Sequence, residues 1–115
     1  MSIKDLFQVL ADDTRLRCLA LIYQHQELCV CELNYALALS QPKISRHLAT
    51  MKLNGLVSQR REGQWMLYAL NPNLSDFEHK LIALTVEQLK TQDLFQQDNQ
   101  RLSTMGNRPE CQRGE

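Results

Sequence analysis

Between Ser40 and Gly55 the chain specifies a helix with two unlike faces, and no other segment restricts the fold as tightly. Ser40 is a good N-cap, because its hydroxyl can accept one of the amide hydrogens that a first helical turn leaves unpaired. Pro42 falls in that first turn, where its missing N–H is no loss. From about Gln41 to Asn54, Ile44, Leu48 and Met51 recur at i, i+4, i+7 as a stripe to be buried. Lys43, Arg46, His47 and Thr50 form the opposite stripe. A helix of this kind packs one side on a domain and turns the other to phosphates and base edges. Gly55 supplies the stop after Asn54.

The flanking segments fit around this helix. Ile3, Leu6, Phe7 and Leu10 have the spacing of an amphipathic helix, interrupted at Ala11-Asp12-Asp13, where either Asp can cap the next one. That second helix is predicted from roughly Thr14 to Tyr23, and Gln24 to Glu27 read as a connector. Leu28-Cys29-Val30-Cys31 leads into a short helix around Cys31–Ala38. Val57–Glu62 and Trp65–Leu70 are strand-like runs on either side of a glycine, the signal of a hairpin. After Asn71-Pro72-Asn73, Ser75 or Asp76 opens a long final helix carrying Phe77, Leu81, Leu84, Leu89 and Phe95. The expected fold is mainly α with a β-hairpin, a dimeric winged helix-turn-helix. Residues 1–99 form the DNA-binding and dimerisation domain, and 100–115 a flexible tail.

Charge supports a polyanion-facing surface. The 13 Lys and Arg balance 13 Asp and Glu, but residues 41–70 hold five of the basic side chains and only Glu62 against them. The segments 1–40 and 71–100 are net acidic, so the positive charge is concentrated in the middle of the chain. In that fold Gln41, Lys43, Ser45, Arg46, His47 and Thr50 face the major groove, and Arg60, Arg61 and Gln64 of the hairpin meet the backbone. The partner is double-stranded operator DNA. Dimerisation through Phe7, Leu10, Leu81 and Leu84 predicts an operator with dyad symmetry; the competing reading places those side chains in the intrachain core. No nucleophile triad, phosphate loop or carboxylate-rich cleft points to an enzyme. No apolar run approaches the ~20 residues of a membrane span, no signal peptide is evident, and a cytoplasmic protein is expected.

Four cysteines remain: Cys18, Cys29, Cys31 and Cys111. Cys18 lies in an apolar helix and reads as a small buried hydrophobe. Cys29 and Cys31 stand at the start of the supporting helix. Two thiolates on one ion in a tetrahedral site, with bonds of about 2.3 Å, sit roughly 3.8 Å apart. Helical residues i and i+2 are rotated by about 200° and point to opposite sides. Either the first turn is irregular in the free protein, or binding unwinds it and shifts the helix that braces Gln41–Asn54. Soft thiolates favour thiophilic ions.

Three stretches carry a resemblance: Ala11-Asp12-Asp13-Thr14-Arg15-Leu16, Glu27-Leu28-Cys29-Val30-Cys31-Glu32-Leu33, and Ser40 through Leu48. From about Phe7 to Leu70 the chain resembles the ArsR/SmtB metalloregulatory repressors, most closely the arsenical-responsive branch. The resemblance implies a homodimer that represses a resistance operon when empty and leaves DNA when trivalent arsenic or antimony, As(III) or Sb(III), binds. It implies Cys29 and Cys31 as metal ligands, with Cys111 a further candidate, and no cofactor for DNA binding itself. Arsenical-responsive relatives commonly carry a third cysteine where this chain has Asn34. Cys111, a small thiol, water or the organic group of a mono-organoarsenical can fill that place. A thiol redox switch and a cadmium or lead sensor are the alternatives, although residues 1–6 lack the cysteines that the latter recruit. A zinc site of the family type is not matched, since Asp76 and His79 have the wrong spacing and His25 and His79 read as surface residues.

Overall fold

A computed structural model describes residues 1–106. Its elements in chain order are α1 (Ile3–Leu10), α2 (Asp13–His25), β1 (Leu28–Cys29), α3 (Val30–Leu37), α4 (Gln41–Leu53), β2 (Val57–Glu62), β3 (Trp65–Leu70), α5 (Asp76–Leu89) and α6 (Asp93–Ser103). The expected winged helix-turn-helix is present. Ser40 caps α4 through its side chain, which accepts from the Lys43 amide, and Pro42 lies in the first turn. At the other end Gly55 has φ +78°, its N–H bonds to the Lys52 carbonyl at 3.0 Å, and the Leu56 N–H bonds to that of Met51 at 2.9 Å. These are the two closing bonds of a Schellman motif, which places a left-handed residue just beyond the cap.

The core is layered around α2. Cys18, Leu19 and Ile22 of α2, Leu33 of α3, and Ile44, Leu48 and Met51 of α4 are all fully buried. Ile82 and Val86 of α5 close the far side. The sheet is three-stranded and antiparallel in the order β1-β3-β2. Gly63, with φ +61°, opens the two-residue loop between Glu62 and its partner Trp65, the sign that hairpin turns require. Among the described residues no helix is long and apolar enough to cross a membrane.

The structure corrects the sequence reading in three places. Leu28 and Cys29 form a short strand instead of leading directly into a helix. The final helix is two helices, broken at Lys90–Gln92, because α6 buries its own stripe of Phe95, Asp98 and Leu102. A carboxylate in the middle of that stripe hid it from a search for apolar periodicity, so the helix runs past residue 99 into the expected tail. Leu10, assigned to a dimer interface, is 8% exposed and belongs to the intrachain core, while Leu81 is half-buried against that core.

Asp98 anchors α6. Arg17 of α2 donates to it twice, at 2.8 and 2.7 Å, and also to the Leu37 carbonyl at 3.0 Å. Arg101 stands 3.7 Å from the same carboxylate and donates to the Ala36 carbonyl. Breaking a buried pair on one side leaves an uncompensated charge, at a cost of about 3–5 kcal/mol. Asp98→Ala is therefore expected to lower unfolding stability by about 3 kcal/mol in urea denaturation. An Asp98→Ala loss below about 1 kcal/mol contradicts this anchoring.

A second polar joint fixes α4 on α2. Arg15 is held by the Val9 carbonyl at 2.6 Å and the Gln8 carbonyl at 3.3 Å, and its Nη1 lies 3.4 Å from His47 Nδ1. Guanidinium only donates, so the neutral His47 accepts at Nδ1 and carries its hydrogen on Nε2. Burial lowers the His47 pKa and outweighs Asp12, which lies 3.8 Å from Nδ1 and acts in the other direction. As the pH falls through the ordinary histidine value of about 6.5, the unfolded chain takes up a proton that the folded chain resists. Stability should therefore fall between about pH 7.5 and about pH 5.5 more steeply than in His47→Gln, as read by thermal melting. Parallel pH profiles for the two proteins would remove this assignment.

Candidate nucleic-acid interface and thiol site

The cationic face of α4 is arranged largely as its spacing requires. Gln41 and Arg46 are exposed, and Lys43, Ser45 and Thr50 are half-exposed beside them. Thr50 spends its hydroxyl on the Arg46 carbonyl at 3.2 Å. His47 departs from the expected set, since it turns toward α2 and Nδ1 is committed to Arg15. In the hairpin, Arg61 and Gln64 are exposed at and near the tip. Arg60 also departs from expectation: it donates to both oxygens of Glu27, at 2.6 and 2.7 Å, and to Glu62 at 2.6 Å. Its guanidinium ties the hairpin to the segment just ahead of β1. Glu27 was read as part of a polar connector and as the first residue of a resemblance stretch; nothing in its spacing marks a partner 33 positions away.

The approach to the thiol pair is bent sharply. Gln26 has φ +72° and ψ −42°, and the Glu27 N–H bonds back to the His25 carbonyl at 2.8 Å, a γ-turn of the strained, positive-φ kind. The chain then enters β1, where Leu28 pairs with Tyr68 and Cys29 with Leu67. Cys29 is the N-cap of α3 and extended, with φ −88° and ψ 166°. Its N–H donates to the buried carboxylate of Glu32 at 2.9 Å. Cys31 is the second residue of the helix. Because Cys29 is extended, the opposed directions of two helical residues do not apply. The Cα atoms are 5.4 Å apart and the two sulfurs are bonded. Of the two routes left open by the spacing, the irregular start of the helix is the one present, and no unwinding is needed to bring the sulfurs together.

The remaining candidates separate clearly. Cys18 is fully buried, and burial pushes its thiol up to about 12, which makes it inert as a thiolate. Asn34, oriented so that both amide atoms are satisfied, donates to the Val30 carbonyl at 3.0 Å and accepts from the Tyr35 N–H at 3.3 Å. It folds back on its own helix. Cys111 lies outside the described residues. His25 Nε2 is 2.7 Å from Asn99 Oδ1, and His79 is exposed with its ring edge-on to Tyr23. Among the described residues no group of three or more His, Cys, Asp or Glu is placed to hold a metal ion. Phe7 and Leu84 stay 52% and 71% exposed, as an interface requires of them.

The arrangement has known counterparts. Residues 12–59 match the family model described as bacterial regulatory protein, arsR family. An arsenic resistance transcriptional regulator of Pseudomonas putida is 46% identical over 104 residues, 90% of this chain and 80% of the relative. The arsenical resistance operon repressor of Escherichia coli K12 is 47% identical over 89 residues, 76% of each chain. Among solved structures, HlyU from Vibrio cholerae, also solved in a form described as reduced, aligns with a TM-score of 0.67 at 35% identity over 77% of this chain. It is covered to 91% in the first form and 88% in the second. A homodimeric winged helix-turn-helix domain from Mycobacterium bovis aligns with a TM-score of 0.63 at 27% identity, over 79% of this chain and 84% of that one. An antimony-specific transcriptional repressor aligns at 0.60 and 27%, over 76% and 78%. The chain belongs to the arsR family of bacterial regulatory proteins, and it is a transcriptional regulator with a winged helix-turn-helix, not an enzyme.

Proposed function

We propose that the chain is a cytoplasmic metalloid-responsive repressor. As a homodimer it binds operator DNA of dyad symmetry, and it is released when trivalent arsenic or antimony binds the reduced Cys29 and Cys31. The observation that carries this reading is the meeting of two sulfurs at the N-cap of α3, the helix that supports α4. DNA binding itself needs no cofactor. The relatives named for arsenic resistance and the antimony-specific neighbour support the inducer class, the homodimeric neighbour supports pairing, and the exposure of Phe7 and Leu84 beside the half-buried Leu81 supports these residues as the contact. Gln41, Lys43, Ser45 and Arg46 read the groove, and Arg61 and Gln64 meet the backbone. Thr50 and Arg60 support these contacts through Arg46 and Glu27.

Binding works through the junction that holds the pair. Two sulfurs sharing one ion are not bonded to each other and stand well apart, roughly 3.8 Å around a tetrahedral ion and less around pyramidal arsenic, whereas a disulfide holds them at about 2.05 Å. Each chemical state of the pair therefore sets a different spacing between β1 and the first turn of α3. With Asn34 turned away, a third ligand for inorganic arsenite comes from water, a small thiol or Cys111. The bonded sulfurs also favour a second reading, a thiol redox switch in which oxidation is the signal. Peroxide releasing DNA while arsenite does not would select that reading, and release by cadmium alone would select a cadmium sensor.

Cys29→Ala and Cys31→Ala are expected to keep operator affinity in gel shifts and to lose release by arsenite. In the unmodified protein arsenite should weaken binding about 5–150-fold. Release that persists in both variants removes the sensor assignment. Arg46→Ala should weaken operator binding, while Arg61→Ala should lower the slope of log K against log salt by about 1. Affinity and slope unchanged in both variants would exclude this docking.

A further inference from the structure

The thiol pair opens onto a recess of about 250 Å³. Its wall beyond the sulfurs is formed by Trp65 and Met66 of β3, and Gln41 and Gln64 complete the lining near the DNA-facing elements. The sheet register accounts for this placement. Cys29, the last residue of β1, lies opposite Leu67, so the antiparallel pairing puts Trp65 and Met66 of β3 just beyond the point where the chain leaves the sheet for α3. The described lining contains neither a third thiol nor a carboxylate. A trivalent arsenic held by two sulfurs has one bond left, and the groups beside it here are an indole and a thioether. The indole and thioether give this wall an apolar surface suited to carbon, and the Gln41 and Gln64 amides are the polar part of the lining. A cavity of about 150 Å³ is enough to hold benzene.

We propose that this recess is a subsite for the single organic substituent of a trivalent arsenical, an aryl group above all, and that Trp65 is its specificity-determining residue. The proposal rests on the metalloid reading above. In the binding step the two thiols react with an aryl arsonous acid, ArAs(OH)₂. Two S–H and two As–O bonds break, two As–S bonds form, and two waters leave. Arsenic stays trivalent and keeps its carbon, so no oxidant or reductant takes part. The aryl ring then lies against the indole in the offset or edge-on contact that aromatic pairs prefer.

The test uses the full chain kept reduced by a phosphine, titrated with phenylarsenite and with arsenite. The sequence has one tryptophan, so fluorescence reports on Trp65 directly, and gel shifts report on DNA release. The ratio of the two midpoints is normalised to the ratio for dithiothreitol, which measures the preference of a plain dithiol. Phenylarsenite is expected to release DNA at about tenfold lower normalised concentration and to change the fluorescence more than arsenite does. Trp65→Leu should bring the normalised ratio to about 1 while arsenite still releases DNA. A normalised ratio near 1 in the unmodified protein, or a ratio unchanged in Trp65→Leu, overturns the subsite and leaves the metalloid reading standing. Should Trp65→Leu not fold, Met66→Ala and the unmodified ratio carry the same decision. Release by neither arsenical overturns the metalloid reading, and the subsite with it.

Discussion

A ladder of two residues connects the thiol pair to the DNA-facing half of the molecule. Leu28 and Cys29 pair with Tyr68 and Leu67 and are buried on opposite faces of the strand. That pairing holds Cys29 extended, which makes it a cap residue and not a member of the helical turn. Being outside the turn, its sulfur can lie on the same side as that of Cys31. A slip of one residue in the register would exchange the faces of Leu28 and Cys29 and part the two sulfurs. The same strand, β3, is hydrogen-bonded on its other edge to β2, which carries Arg61. The thiol pair and the wing therefore share one sheet.

The opposite end of α3 is held in a different way. Its last carbonyls, Ala36 and Leu37, accept from Arg101 and Arg17, cations placed where a helix C-terminus favours them. Both arginines are in turn fixed on Asp98 of α6, and the Tyr35 and Thr104 hydroxyls lie 2.9 Å apart across the same contact. Its C-terminus is thus clamped, its N-terminus is attached by two strand residues, and α4 follows after a three-residue turn. In the proposed mechanism a change at the sulfurs tilts α3 about its fixed end and carries α4 with it.

Local signals in the sequence carried most of this fold. The cap at Ser40, the stop at Gly55, the two faces of α4 and the turn at Gly63 each depend on residues within a few positions of one another. What escaped depends on distance. Nothing local marks Asp98 for burial, because its partner, Arg17, is 81 positions away. Arg60 looked like a phosphate contact because charge alone does not show that Glu27 claims it. His47 sits on the cationic stripe by spacing, yet Arg15 draws it inward. The cysteine pair was recognised, with an irregular first turn as one of its two expected geometries, but the strand that produces it was not, since two residues are too few for strand periodicity to register. Trp65 read as a strand residue only, because its place in the recess beside the thiol pair depends on the pairing of β3 with β1.

The shortness of β1 suits what the junction is asked to do. Allosteric coupling of the usual size is about 1–3 kcal/mol. A backbone hydrogen bond contributes about 1 kcal/mol net, so a ladder of two residues holds an amount of stability comparable with the coupling. A longer strand would bury the change in a sheet too stable to yield. A fully helical start would keep the sulfurs on opposite sides and give a ligand nothing to grip. In the proposed mechanism two residues of strand meet both needs: they bring the thiols together, and their pairing is weak enough to be adjusted when a ligand takes hold of the sulfurs.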